Sequence, residues 1–107
     1  MPMITLEFDD HKVSDDEAQV LCEAVQQIVS RVTDIKDVFV YANSARIKVQ
    51  VAPIEVFIWM SAHKIENADA LIGSFKHELA SWKQQSGFRY PINLSLIPMD
   101  WKVEIGI

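Results

Sequence analysis

The sequence predicts an α/β (α+β) fold in which two β-α-β repeats form one mixed four-stranded sheet with two helices on one face. Each half of the chain places strand-like alternation and helical periodicity in the same order. A proline opens a strand-like run in three places, at Pro2, Pro53 and Pro91. The length of 107 residues fits a single domain, residues 1–107, with pseudo-repeats over about 2–52 and 53–107.

The first repeat begins with the strand-like run at residues 2–8. Ser14 and Glu17 have the spacing of a capping box, which predicts the start of a helix. Apolar residues then recur at intervals of three and four up to Thr33, where we expect the helix to end. A second strand is predicted at residues 38–41. The alternation at residues 46–51 predicts a further short edge strand, half exposed to solvent.

The second repeat starts with the most apolar run of the chain, residues 53–60, which predicts a central strand. Asn67 is the expected N-cap of the second helix, and Gly87 is the expected terminator. Residues 91–97 predict the last full strand, which Pro98 should end or bulge. The alternation at residues 101–107 predicts one more short strand.

Two helices cannot cover both faces of this sheet. The central run contains the consecutive residues Phe57, Ile58 and Trp59, so apolar side chains point to both faces. An apolar face without helices favours packing against other copies of the chain. The sequence therefore predicts an oligomer.

Composition excludes several classes of partner. A net charge of −5 and a pI near 5.0 argue against nucleic acid and anionic membranes. No run of about 18 apolar residues predicts a membrane span. The acidic N-terminal region lacks the features of a signal peptide, and a lone cysteine, Cys22, excludes an internal disulfide. We therefore expect a soluble cytoplasmic protein.

The residue with the most distinctive chemistry is Pro2. If Met1 is removed, Pro2 supplies a secondary amine at the end of a strand. An α-amino group titrates at about 7.7–8.0, and burial lowers its pKa, so such an amine can act as a base near neutral pH. The three histidines lack the spacing of metal ligands, and the glycines form no phosphate loop. No metal and no cofactor are therefore predicted.

The β-α-β repeat beginning at Pro2 resembles the tautomerase superfamily, which includes macrophage migration inhibitory factor and 4-oxalocrotonate tautomerase. Two local matches carry the resemblance. One is residues 12–17, Lys-Val-Ser-Asp-Asp-Glu, after the opening strand, and the other is the final strand with its tail, residues 92–107. A proline-initiated central strand, residues 53–59, is a further similarity.

The resemblance implies a homotrimer with the sheets turned inward. It also implies that Pro2 moves a proton between carbon and oxygen of a small α-keto acid or its enol. Such a reaction needs a cation for the carboxylate. Lys12 falls where smaller tautomerases have an arginine, and Lys36 falls where larger members have a lysine. Arg46, which can reach a subunit interface, is the third candidate.

The chain also departs from the family pattern. Phe39 stands roughly where a second family arginine is expected on strand two, and Asn93 and Ser95 stand roughly where a tyrosine and an asparagine are expected. Three hypotheses therefore remain open at this point. The protein is a keto-enol tautomerase, a non-catalytic oligomeric binding protein of the same fold, or a ferredoxin-like interaction module.

Overall fold

One mixed sheet with two helices on one face forms the body of the protein. The computed structural model describes residues 2–107. Its elements are the strands β1 (Met3–Phe8), β2 (Phe39–Asn43), β3 (Ile54–Ser61) and β4 (Asn93–Met99), the helices α1 (Asp15–Thr33) and α2 (Ala68–Ser86), and a 3-10 turn at Ala62–Lys64. The predicted α/β (α+β) fold class is confirmed.

The strand order is β2-β1-β3-β4. β1 pairs with β2 in parallel, β3 pairs with β4 in parallel, and the antiparallel pair β1–β3 joins the two repeats. In a split β-α-β unit, as in ferredoxin-like folds, a third strand separates the two parallel strands. Here the parallel strands of each repeat are direct neighbours, so the ferredoxin-like hypothesis is excluded.

The core lies between the sheet and the helices. In β1 and β3 every second side chain is buried beneath the helices, in register with the pleat. These residues are Ile4, Leu6, Phe8, Ile54, Val56, Ile58 and Met60. α1 buries six residues against them, whereas α2 buries only Phe75 and Leu79. Neither of the helices described at residues 2–107 is long and apolar enough to cross a membrane.

Both predicted helix starts are confirmed by their caps. The Glu17 N–H donates to Ser14 Oγ at 3.1 Å, and the Ser14 N–H donates to Glu17 Oε1 at 3.0 Å. Asn67 Oδ1 accepts from the Ala70 N–H at 3.1 Å and caps α2. Gly87 ends α2 with φ of 74°, a left-handed conformation that glycine adopts without strain.

Replacing Ser14 by alanine should lower the free energy of unfolding by about 1 kcal/mol, since α1 loses its N-cap. Urea titration measures the effect, and Ser74→Ala, an exposed position within α2, is the control. Equal stability of the parent and Ser14→Ala would contradict this account.

Hydrogen bonds from Ser14 and Tyr90 lower the pKa of Glu17. The stabilisation by Glu17 should therefore be present at neutral pH and disappear in acid, as pH falls through its folded-state pKa.

Two predicted strands and one predicted strand end are wrong. Residues 46–51 and 101–107 form no strand, although both alternate. Although β2 and β4 are free edges of the sheet, neither segment pairs with them within the chain. The apolar side chains of both segments are exposed, as in Val49 at 99% and Ile105 at 75%. β4 also continues through Pro98 to Met99. An edge strand tolerates proline because the missing N–H faces away from the sheet.

Candidate active site

Pro2 lies at the start of β1, one of the two central strands. Its side chain is fully buried on the helix-covered side of the sheet. Its carbonyl oxygen accepts a hydrogen bond from the Phe39 N–H at 3.3 Å, which extends the parallel pairing of β1 with β2. Pro2 is therefore fixed by the sheet ladder and by the core together.

The pairing also fixes the direction of the Pro2 nitrogen. In a parallel ladder, the carbonyl oxygen and the backbone nitrogen of one residue point towards the same neighbouring strand. If the carbonyl accepts a hydrogen bond from one residue of that strand, the nitrogen faces the carbonyl of the residue two positions earlier. Because Pro2 accepts from Phe39, its nitrogen is directed towards the backbone carbonyl of Asp37. The base expected at Pro2 therefore faces the loop that connects α1 to β2.

Hydrogen bonds hold this loop in place. The Ser30 hydroxyl donates to the Ile35 carbonyl at 2.7 Å, and the Val38 N–H donates to the Lys36 carbonyl at 3.1 Å. Asp34 ends α1 in a left-handed conformation with φ of 57°. Lys36 is thus carried on an ordered loop beside Pro2, and its side chain is exposed to solvent.

The other two candidate cations lie at the opposite end of the sheet. Lys12 follows β1, in a turn where its N–H donates to the Asp9 carbonyl at 3.0 Å. Arg46 lies in the loop after β2, which is parallel to β1. A strand as long as β1 separates its two ends by about 20 Å. Within one chain, only Lys36 of the three shares the Pro2 end, so Lys12 and Arg46 can approach a Pro2 only from another copy.

A fourth cation, Lys64, was missed by the sequence analysis. It ends the 3-10 turn after β3, and the antiparallel pairing of β1 with β3 brings that turn to the Pro2 end. With Asp34 and Met60, it lines a cleft of about 680 Å³. The antiparallel pairing between the two repeats places Lys64 near Pro2. No local sequence motif predicts that pairing, so the sequence analysis could not identify Lys64 as a candidate cation.

No protein-family model matches the sequence, and no curated protein matches it. Solved structures match its fold over nearly its full length, and three of them are described below. Malonate semialdehyde decarboxylase has a TM-score of 0.70 at 9% identity, covering 98% of this chain and 92% of its own. A fused 4-OT, an asymmetric trimer, has 0.67 at 9% identity, covering 94% and 91%. MIF2 of Leishmania major has 0.60 at 14% identity, covering 99% and 95%.

The chain has the fold of the tautomerase superfamily. This confirms the resemblance that the sequence predicted, from the opening proline-initiated strand through both repeats. At these identities the comparison concerns the fold, and the chemistry must be argued from this chain's own residues.

The tautomerase fold places a second polar cluster far from Pro2. Lys48 lies in the segment predicted as a half-exposed edge strand, yet its side chain is only 10% exposed and contacts Asp10 Oδ1 at 2.7 Å. This hydrogen bond lowers the pKa of Asp10. Asp9, Asp10 and His11 bring ligand-type atoms within 4.8 Å of one another. Because Lys48 already neutralises Asp10, the cluster resembles a surface ion pair more than a metal site.

Cys22 lies on α1 and packs against the core. Burial, with a smaller contribution from Glu23, raises the pKa of its thiol. A thiol held in its protonated form is a poor nucleophile. The environment of Cys22 therefore fits a packing role.

Proposed function

We propose that the chain is a tautomerase that moves a proton in a small keto-enol acid, with Pro2 as the general base after removal of Met1. The observation that carries the proposal is the placement of Pro2. It opens a central strand, and its nitrogen faces the loop that bears Lys36. A base and a cation at one end of a sheet are the two groups that the isomerisation requires.

The reaction exchanges one proton and no other atom. The neutral Pro2 nitrogen accepts the proton from the enol hydroxyl, and the carbonyl forms as the double bond shifts. The protonated amine then returns the proton to the neighbouring carbon. Lys36 holds the substrate carboxylate as a point charge, because an ammonium lacks the two-pronged geometry of a guanidinium. Lys12 and Arg46 remain proposals for this role in an assembly, where another copy would present them.

Proteins of the same fold support this chemistry. One neighbour is a 5-carboxymethyl-2-hydroxymuconate delta-isomerase, and another is a malonate semialdehyde decarboxylase whose first-residue proline was replaced by alanine in one of its structures. Both names describe chemistry at small acids. The single cysteine, Cys22, favours a cytoplasmic location, which we include in the proposal.

We further propose that the protein is a homotrimer. The helix-free face of the sheet carries Phe57 and Trp59, and the edge strand β2 adds Phe39 at 45% and Tyr41 at 56% exposure. Among residues 2–107, the indole nitrogen of Trp59 is the buried side-chain donor that lacks an acceptor. A cyclic assembly would cover this face, and a fused 4-OT of the same fold is a trimer.

One observation favours the alternative of a non-catalytic oligomeric binding protein. Phe39 supplies no charge at the strand-two position where the family resemblance implies an arginine. Lys36 on the adjacent loop and Lys64 after β3 then remain as exposed lysines at the Pro2 end. A protein that keeps the fold and lacks the groups that bind the carboxylate is expected to bind a ligand without turning it over.

Lys36→Ala should raise the KM for a small α-keto acid about tenfold or more, since a hydrogen bond to a charged group contributes roughly 1.5–3 kcal/mol. Steady-state kinetics of enol-to-keto conversion measure this change. Lys76→Ala, an exposed lysine on α2, is the matched control, and Lys12→Ala tests the candidate cation at the far end of the sheet. A KM that rises for Lys12→Ala and stays constant for Lys36→Ala would show that another copy supplies the carboxylate site.

A further inference from the structure

Two polar side chains of α1 reach the loop that connects α1 to β2. Gln26 and Ser30 are four residues apart and therefore lie on the same side of the helix. The Ser30 hydroxyl donates to the Ile35 carbonyl at 2.7 Å, and Gln26 Nε2 donates to the Val38 carbonyl in a longer contact of 3.5 Å. The two acceptors stand on either side of Lys36, so both ends of this loop are tied to α1.

The direction of the Ser30 hydrogen bond is unusual for a helical serine. Serine and threonine within a helix can donate to the carbonyl four residues earlier. Thr33 and Ser74 do so in this chain, at 2.6 and 3.1 Å. Ser30 instead donates to a carbonyl five residues ahead, beyond the end of α1. Its hydrogen bond therefore serves the loop and not the helix.

A series of backbone contacts leads from Ser30 to the proposed base. The carbonyl that Ser30 contacts belongs to the peptide unit directly before Lys36. The Val38 N–H donates to the Lys36 carbonyl at 3.1 Å and so holds the peptide unit directly after it. The Phe39 N–H then donates to the Pro2 carbonyl at 3.3 Å. The backbone of Lys36 is thus fixed on both sides, in a set position relative to Pro2.

The side chain of Lys36 has no such support. It is exposed, and among residues 2–107 it forms no ion pair. The place of its ammonium therefore depends on the orientation of the backbone that carries it. Ile35 and Val38 pack with the core, so the loop stays attached without Ser30, but the peptide unit before Lys36 is then free to turn. A displacement of about 1 Å can cost 10²-fold in the rate of an enzyme.

We propose that Ser30 is a positioning residue, which orients Lys36 towards a substrate held at Pro2 by fixing the peptide unit before Lys36. Gln26 supports the other end of the same loop. The role rests on the proposed tautomerase function, and it adds to that site a residue of α1 that touches neither the base nor the substrate.

A mutant cycle on the chain that begins with Pro2 tests this role by steady-state kinetics. Ser30→Ala should raise the KM for a small α-keto acid about threefold or more, on the scale of one neutral hydrogen bond. The kcat should not change, since Pro2 keeps its own contacts. In a Lys36→Ala background, Ser30→Ala should raise KM no further, because Ser30 acts through Lys36. Ser30→Thr, which keeps a hydroxyl, should have the KM of the parent.

Ser86→Ala is the matched control. The Ser86 Oγ also bonds the backbone beyond its helix, since it accepts from the Phe88 N–H at 3.3 Å. It lies at the end of α2, which is the end of the sheet opposite Pro2. This variant should keep the KM of the parent, and circular dichroism of each variant shows whether the fold is retained.

The possible results separate the positioning role from the reaction itself. An active parent with an unchanged KM in Ser30→Ala overturns the role and leaves the tautomerase standing. An equal rise of KM in the parent and in the Lys36→Ala background also overturns it, since Ser30 would then act elsewhere. A Ser30→Thr variant as impaired as Ser30→Ala overturns the part assigned to the hydroxyl.

A parent without turnover overturns the proposed tautomerase, and the cycle is then measured as the dissociation constant of pyruvate by NMR titration. A constant that rises in Ser30→Ala, but not when Lys36→Ala is already present, supports the positioning role in a binding protein. A constant that does not respond to Ser30→Ala overturns it.

Discussion

Pro2→Ala should reduce the enol-to-keto conversion of a small α-keto acid by about tenfold or more, on the scale of a displaced general base. The substitution replaces a secondary amine by a primary one. It also empties the space of a fully buried ring at the start of β1, so the nitrogen is no longer held towards the loop that carries Lys36. The loss should appear mainly in kcat, because Lys36 still binds the carboxylate.

Pro91→Ala is the matched control, since Pro91 is exposed before β4, at the end of the sheet opposite Pro2. It should retain the activity of the parent. Equal turnover by the parent and by Pro2→Ala would show that the activity comes from another group. No turnover by the parent on several keto acids would favour the non-catalytic binding protein.

Phe75→Ala should lower the free energy of unfolding by about 3–5 kcal/mol. Phe75 is 1% exposed and is one of two buried residues on α2, whereas α1 buries six. Phe75 is therefore a main contact of α2 with the core, together with Leu79 and the partly buried Leu71 and Trp82. A domain of this size has a free energy of unfolding of roughly 5–15 kcal/mol, so the variant should be near the limit of folding.

Urea titration at 25 °C measures this effect, with Val20→Ala on the half-exposed surface of α1 as the control. The control should change the free energy of unfolding by less than about 0.5 kcal/mol. If Phe75→Ala lowers the free energy of unfolding no more than Val20→Ala does, α2 is held to the sheet by contacts other than Phe75.

Local chemistry made much of the fold predictable. The capping box at Ser14, the N-cap Asn67 and the terminator Gly87 depend on neighbouring residues in the chain, and the structure has each of them. The apolar run at residues 53–60 predicted a central strand, and β3 does lie between two strands. The periodicity of the apolar residues supplied the order of the elements, and the tautomerase resemblance agreed with it.

Long-range geometry was not predictable from such patterns. Which candidate cation approaches Pro2 depends on how the two repeats join, and the antiparallel β1–β3 pair decides this. It brings Lys64 to the Pro2 end and leaves Lys12 and Arg46 at the other. Residues 46–51 and 101–107 alternate as strands do, but alternation alone does not show whether a segment pairs with a sheet edge of its own chain.

The central claim is that a free N-terminal Pro2 is the base, and removal of Met1 tests it most directly. Enol-to-keto conversion of a small α-keto acid should be measured for two forms, whose intact masses show whether residue 1 is present. The form that begins with Pro2 should turn over substrate, and the form that retains Met1, in which the nitrogen is an amide, should not. Equal rates for the two forms would contradict the claim.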